Sequence, residues 1–350
     1  MRVLIDILHP AHVHFFRNFA AEMGERGHEV CITARDKDRS VDLLRAYGLD
    51  YQEISQQKSG GAGLALEMLQ RTPRLMGIMR SFRPDVMTGI MGPSIALAGA
   101  LRPRRVPSVV FYDTEFAVQT NRFVYPLAYS VCTPDCYTGK VPGRHPVYPG
   151  YHELAYLHPN RFTPDPAVLA EFGVTPDESF SLVRFVSWQA VHDRQERGLT
   201  LAQKKHLIDV LGKAGRVLVS SEAPLPDELA PLAVRGPVEK IHHLLARARV
   251  VVGESATMSS EAAVLGVPAV FIATTGRGYT DDEERRYGLV RHFTEDDYDS
   301  ATAALEQILA EPAKTWQDAR ARLLAEKIDV TGWMVSYFEQ NFGGAAAGGR

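Results

Sequence analysis

The chain has 350 residues, 45% of them hydrophobic and 23% charged, which is ordinary for a folded protein with room for two domains and their cores. Its 39 Lys and Arg nearly balance 42 Asp and Glu, so a net charge of -3 provides no general field for nucleic acid; only local runs such as Arg102-Pro103-Arg104-Arg105 leave peripheral membrane contact open. Three cysteines, no leader-like N-terminus and no apolar run of about 18 residues argue against a disulfide framework or a membrane span and predict a cytoplasmic location.

Arg2–Leu8 reads as a strand. A His-Pro turn follows, and then a helix with Phe15, Phe16, Phe19, Ala20 and Met23 on one face. A second strand covers Glu29–Ala34, and the alternation continues with a helix near 38–47, a strand at 51–54, a helix at 64–82, a strand at 85–90, a helix at 94–101 and a strand at 106–112. Strands separated by helices require crossovers, hence a mainly parallel, doubly wound α/β sheet. The stretch 134–166, rich in Pro, Gly, His and Tyr, reads as a linker. Alternation resumes with strands at 180–186, 216–220, 250–252 and 269–272, and with helices near 201–214, 238–247 and through Glu261. The expectation is two Rossmann-like domains, 1–150 and 151–330, facing across a cleft. Gly332 is read as a helix break, 331–342 as a C-terminal helix, and the Gly- and Ala-rich 343–350 as a disordered tail.

Open α/β sheets bind ligands beyond the C-terminal ends of their strands, and that rule selects the candidates. His9-Pro10-Ala11-His12-Val13-His14 follows the first strand; His12 has the pKa range of a general base, and His14 lies on the same side as an acceptor. Asp113 and Glu115 follow the strand at 106–112, where they either orient the histidine and hold an acceptor hydroxyl or cap a helix, and Asn121 lies just beyond. Ser187 and Trp188 end the strand at 180–186, suited to a pyrophosphate and to stacking on a base, although Trp188 equally fits a packing role; Ser220 ends the next strand.

Gly253, Glu254, Ser255, Ala256, Thr257 and Met258 form a small-residue turn that points N–H groups and hydroxyls at an anion, with Glu261 one helical turn further on. Asp282 opens an acidic helix that either binds sugar hydroxyls or complements the helix dipole. No Gly-Lys-Ser/Thr phosphate loop and no Gly-x-Gly-x-x-Gly is present, which argues against kinases and dehydrogenases. Cys132 and Cys136 lack a second pair, so no metal is expected, and no cofactor is expected beyond a substrate.

Five segments in order, 6–16, 33–36, 113–115, 148–157 and 257–263, resemble an uncharacterised domain-of-unknown-function family of bacteria and archaea. That family is similar to GT-B-fold glycosyltransferases of the MurG type and to UDP-N-acetylglucosamine 2-epimerases. The resemblance implies a GT-B fold. It implies that Glu261 binds a nucleotide ribose, that Ser255–Met258 lie near a diphosphate, that His12 is the histidine of the first strand–helix turn, and that Asp113, Glu115 and Asn121 serve the acceptor side. One departure stands out: His9-Pro10-Ala11 replaces the glycine-rich turn that normally precedes that histidine. The implied activity is an inverting, metal-independent transfer from a UDP-sugar to a hydroxyl acceptor in polysaccharide or glycoconjugate synthesis, with His12 as base. Nucleotide-sugar 2-epimerisation and non-catalytic nucleotide-sugar binding are the alternatives.

Overall fold

Short apolar runs separated by amphipathic helices leave no strand a hairpin partner, and in the computed structural model every strand pair is parallel. The structure describes residues 1–57, 60–101, 105–186, 198–222 and 224–346. They divide into two units, Met1–Arg161 with Ile328–Arg350, and Phe162–Lys327.

The first unit runs β1 (Arg2–Ile7), α1 (Pro10–Glu25), β2 (Glu29–Asp36), α2 (Ser40–Ala46), β3 (Gln52–Gln56), α3 (Gly60–Phe82), β4 (Val86–Ile90), α4 (Pro93–Ala100), β5 (Ser108–Phe111), α5 (Val118–Val124), β6 (Ser130–Pro134), β7 (Val147–Tyr148) and α6 (Leu154–Leu157). Its seven strands lie in the order β3-β2-β1-β4-β5-β6-β7, so the winding reverses between β1 and β4. Helices cover both faces of a parallel sheet, which is why β1 is buried almost throughout. The β4–α4 turn takes two successive left-handed residues, Met91 (φ 60°) and Gly92 (φ 56°). A Cβ on Gly92 would stand 2.8 Å from Ile95, so only glycine fits there.

The second unit runs β8 (Phe180–Phe185), α7 (Leu201–Gly212), β9 (Arg216–Ser221), α8 (Ile241–Leu245), β10 (Val251–Gly253), α9 (Ala256–Leu265), β11 (Ala269–Ile272), α10 (Gly278–Tyr287), β12 (Val290–Phe293), α11 (Tyr298–Ala310) and α12 (Ala313–Glu326). The strand order is β12-β11-β10-β8-β9, with the reversal between β10 and β8. Gly253 (φ 148°) ends β10 so close to its neighbour that a Cβ would fall 2.0 Å from the Arg184 carbonyl oxygen. The anticipated helix at 238–247 is shorter, a 3-10 turn at Val238–Lys240 leading into α8.

Three boundaries differ from the sequence reading. The stretch 134–166 is no linker through most of its length: β7 pairs with β6, and Tyr148, Tyr151, Leu154 and Leu157 are buried, so the first unit extends past 150 to Arg161. The final helix α13 (Val330–Phe342) returns to that unit, with Phe338 4.9 Å from Phe19 and Trp333 4.9 Å from Tyr148 between ring centroids. Gly332 lies inside α13 and does not break it. The break is at 327–329, where Asp329 caps the helix by accepting from the Gly332 N–H at 3.1 Å. Gly343–Ala346 continue as a 3-10 turn, and the rest of the anticipated tail, 347–350, lies outside the described residues. No helix among the described residues is long and apolar enough to cross a membrane.

Candidate functional site

A cavity of about 600 Å³ opens in the first unit beside the β1/β4 reversal. Its polar lining is built on an acid inside an apolar strand. Asp6 is fully buried in β1, and a charge there needs partners. Arg71 of α3 forms an ion pair with it, and the Thr33 hydroxyl donates to it at 2.7 Å. Arg71 also donates to Ser55 Oγ at 2.6 Å, and Ser55 in turn donates to Glu67 at 3.0 Å. Arg35 stands 3.6 Å from Glu67 and donates twice to the Leu8 carbonyl, at 3.1 and 3.0 Å. The network holds Arg35, Glu67 and Arg71 at the cavity, where His9, His12 and Lys37 join them. The sequence reading assigned no role to Asp6, Glu67 or Arg71; an Asp within Val3-Leu4-Ile5-Asp6-Ile7 and a Glu67–Arg71 spacing of one helical turn were the signals available.

His12 lines this cavity, but its Nδ1 accepts from the Leu8 N–H at 3.3 Å. A neutral ring that accepts at Nδ1 carries its proton on Nε2; the tautomer follows from that hydrogen bond. Burial first, then the neighbouring His9, Arg35, His152 and Lys37, push its pKa well below 6.5, so the ring is neutral and offers a donor. His9 does likewise. Its Nδ1 caps α1 by accepting from the Ala11 N–H at 3.2 Å, and burial, Lys37 and Arg35 push its pKa down to about 3. His14 turns elsewhere, stacking on Tyr156 at 5.4 Å with Nδ1 3.2 Å from the Tyr47 hydroxyl.

Asp113 follows β5 and is joined by a residue the sequence reading left without a role. His152 Nδ1 lies 3.0 Å from Asp113 Oδ2, and the Thr114 hydroxyl donates to Oδ1 at 3.0 Å. Burial acts to raise the Asp113 pKa, yet the His152 ring, the Thr114 hydroxyl and the residue's own amide together hold it below 3.8. The carboxylate is therefore ionised at neutral pH, and its side chain stays 21% exposed. His152 is buried against Phe15, 4.4 Å between ring centroids, and among the described residues its Nε2 has no hydrogen-bond partner. Glu115 ties a loop down by accepting from the Thr138 N–H at 3.2 Å, and Asn121 is buried on α5, its Oδ1 without a hydrogen-bond partner among the described residues.

In the second unit Ser255 caps α9 by accepting from the Met258 N–H at 3.3 Å, and Ser255, Ala256, Thr257 and Met258 remain partly exposed. Glu261 is buried on the same helix, its Oε1 2.9 Å from Nε2 of the buried His242, a second residue not foreseen from sequence. Gly253 to Met258 and Glu261 thus form one turn at the β10/β8 reversal. Three other candidates are committed to structure. Glu254 accepts from the Val186 and Leu199 N–H groups at 2.9 and 2.7 Å. Ser220 accepts from Arg184 at 2.8 Å, and Asp282 pairs with Arg285 at 2.8 Å and Lys327 at 3.4 Å. Ser187 and Trp188 lie outside the described residues, as do Arg102 and Arg104. Among the described residues no three of His, Cys, Asp and Glu are grouped to hold a metal ion.

Two doubly wound, parallel sheets of seven and five strands, each with candidate residues at a strand-order reversal, define an α/β fold of the GT-B class. Residues 1–147 match the model of a family described as a protein of unknown function, DUF354. No curated protein matches the chain. Among solved structures it is similar to the UDP-GlcNAc 2-epimerase of Methanocaldococcus jannaschii, at 11% identity and a TM-score of 0.66 over 97% of this chain and 99% of that one. The Neisseria meningitidis UDP-GlcNAc 2-epimerase bound to UDP-GlcNAc matches at 11% identity and 0.65, over 97% and 100%. Acinetobacter baumannii MurG matches at 14% identity and 0.59, also over 97% and 100%. At these identities the likeness is one of fold, shared with enzymes.

Proposed function

We propose that this protein is an inverting glycosyltransferase that moves a sugar from a UDP-sugar to a hydroxyl acceptor, in the synthesis of a polysaccharide or glycoconjugate. The observation that carries the reading is Glu261, held by His242 on the helix whose capped first turn follows Gly253. A ribose diol donates to a carboxylate, and a diphosphate accepts from the free N–H groups and hydroxyls of a helix N-terminus; the turn offers both within one helix. The UDP-GlcNAc bound by the Neisseria epimerase supports a nucleotide-sugar as the ligand class. Three free cysteines suit a reducing compartment and the proposed cytoplasmic location.

The acceptor belongs to the first unit. Its hydroxyl oxygen attacks the anomeric carbon from the side opposite the diphosphate, the bond from that carbon to the diphosphate oxygen breaks, and the hydroxyl proton passes to a base. Sequence favours His12 for that base, but its lone pair faces the Leu8 amide. Asp113, ionised and partly exposed, takes the role in this reading, and His12 Nε2–H holds the acceptor. No metal is invoked: the first turn of α9 takes the charge of the departing diphosphate.

Product analysis tests the reading. UDP-GlcNAc is incubated with the full chain, alone and with candidate acceptors, and the mixture is resolved by NMR and mass spectrometry. Acceptor-dependent release of UDP with a new glycoside is the expected result. Conversion of UDP-GlcNAc to its 2-epimer without acceptor would establish the epimerase alternative instead, and binding without any product would establish the non-catalytic one.

A further inference from the structure

We infer that the cavity of the first unit is an oxyanion site, and that the molecule entering it carries a phosphate or carboxylate group beside an apolar portion. That this molecule is the sugar acceptor rests on the transfer reading; the anion site itself does not.

Arg35, Lys37, Arg71, His9 and His12 all line the cavity; Glu67 in the lining is engaged by Ser55 and Arg35, while the partners of Arg71 and Lys37, Asp6 and Asp38 (3.8 Å), lie outside the lining. Both histidines turn their lone pairs to backbone amides and so present N–H groups. Burial is the first cause of the depressed pKa values of His9 and His12, and Lys37 and Arg35 add to it, so both rings stay neutral beside these cations.

Arg71 is 2% exposed, and in its buried pair with Asp6 one donor, Arg71 Nε, and one acceptor, Asp6 Oδ2, have no hydrogen-bond partner among the described residues. Pro93 and Ser94 bring the first turn of α4 to the lining, and His9 is the N-cap of α1. An oxyanion brings acceptors only, and matches.

The remaining wall sets the second half of the ligand. Met68, Ile90, Met91 and Phe123 are apolar, and the volume of about 600 Å³ exceeds what a bare phosphate fills. An anion attached to several carbons satisfies both parts of the lining.

Calorimetric titration of the full chain with hexyl phosphate, hexanoate, inorganic phosphate and hexanol tests this. Hexyl phosphate or hexanoate should bind, with hexanol at least about tenfold weaker, and the tighter of the two anions names the oxyanion. Lys37→Ala should weaken that binding about tenfold and Lys37→Glu further, with UDP-sugar affinity unchanged in both. Hexanol binding as tightly as the anions, or anion binding indifferent to Lys37→Glu, would overturn the proposal. Inorganic phosphate as tight as hexyl phosphate would overturn its apolar half. Anion binding without any UDP-sugar binding would remove the transfer reading and leave the anion site standing.

Discussion

At His12 the Leu8 amide decides which ring nitrogen holds the proton, and so which residue can act as base. Asp113→Asn should cost about a hundredfold to ten-thousandfold in turnover, the range for a lost general base. His12→Gln, whose side-chain amide keeps a donor, should stay closer to wild type than His12→Ala; steady-state kinetics of the three variants check the order. Because Asp113 is held below 3.8 and His12 well below 6.5, kcat/KM should stay level as pH falls from 8 toward 6, and an acidic limb near 6.5 would contradict either residue as the base; the variants decide between the two. Glu283 makes a separate prediction about stability. Burial pushes its pKa up from 4.5 to about 8, helped by Asp282 and opposed by Ser260 and Lys327. A raised carboxyl pKa favours the fold below the unfolded value and loses that contribution as pH rises toward the folded one. Stability should therefore decline between pH 4.5 and about 8, and Glu283→Gln should flatten that decline in denaturant titrations. His12, Asp113 and Glu261 were visible from their places after strands. His152 and His242 were not, because a histidine in an apolar or His-rich run announces no partner until the chain folds.

Among the elements, strands and helices of ordinary length were legible because burial on both faces of a parallel sheet leaves continuous apolar runs, and helices leave a 3.6-residue period. Tyr148–Leu157 was misread as linker because its helix is only four residues long, too short to show a period, while its Pro and Gly imitate a loop. Gly332 misled for a related reason: at the start of a helix a glycine costs little, and Asp329 supplies the cap. Two predictions belong at this scale. Phe338→Ala should remove about 3–5 kcal/mol from the unfolding free energy of the first unit, since α13 closes its core against Phe19. Arg71→Met should remove about 3–5 kcal/mol by leaving the Asp6 charge buried and unpaired, and adding Asp6→Leu should recover much of the loss. Chemical denaturation of the single and double variants checks both, and additive losses at Asp6 and Arg71 would contradict the pairing.

Over the whole molecule, both candidate sites occupy the same topological position, the reversal of strand order, at β1/β4 in one unit and β10/β8 in the other. The alternation of strands and helices made the two sheets readable, but no sequence period announces that the chain crosses back at 328 to finish the first unit. The two reversals gather different side chains: a capped helix turn with a buried acid in the second unit, a donor-rich cavity and an ionised Asp113 in the first; the proposed division of labour between donor and acceptor rests on that difference. The central claim is that the second unit holds a uridine nucleotide through Glu261. The most direct test is calorimetric titration of wild type and Glu261→Gln with UDP and with 2′,3′-dideoxy-UDP. Wild type should prefer UDP by at least about tenfold, as expected for charge-assisted hydrogen bonds to the ribose, and Glu261→Gln should lose that preference while still binding the dideoxy compound. Equal binding of the two nucleotides by wild type, or a preference that survives in Glu261→Gln, would contradict the account.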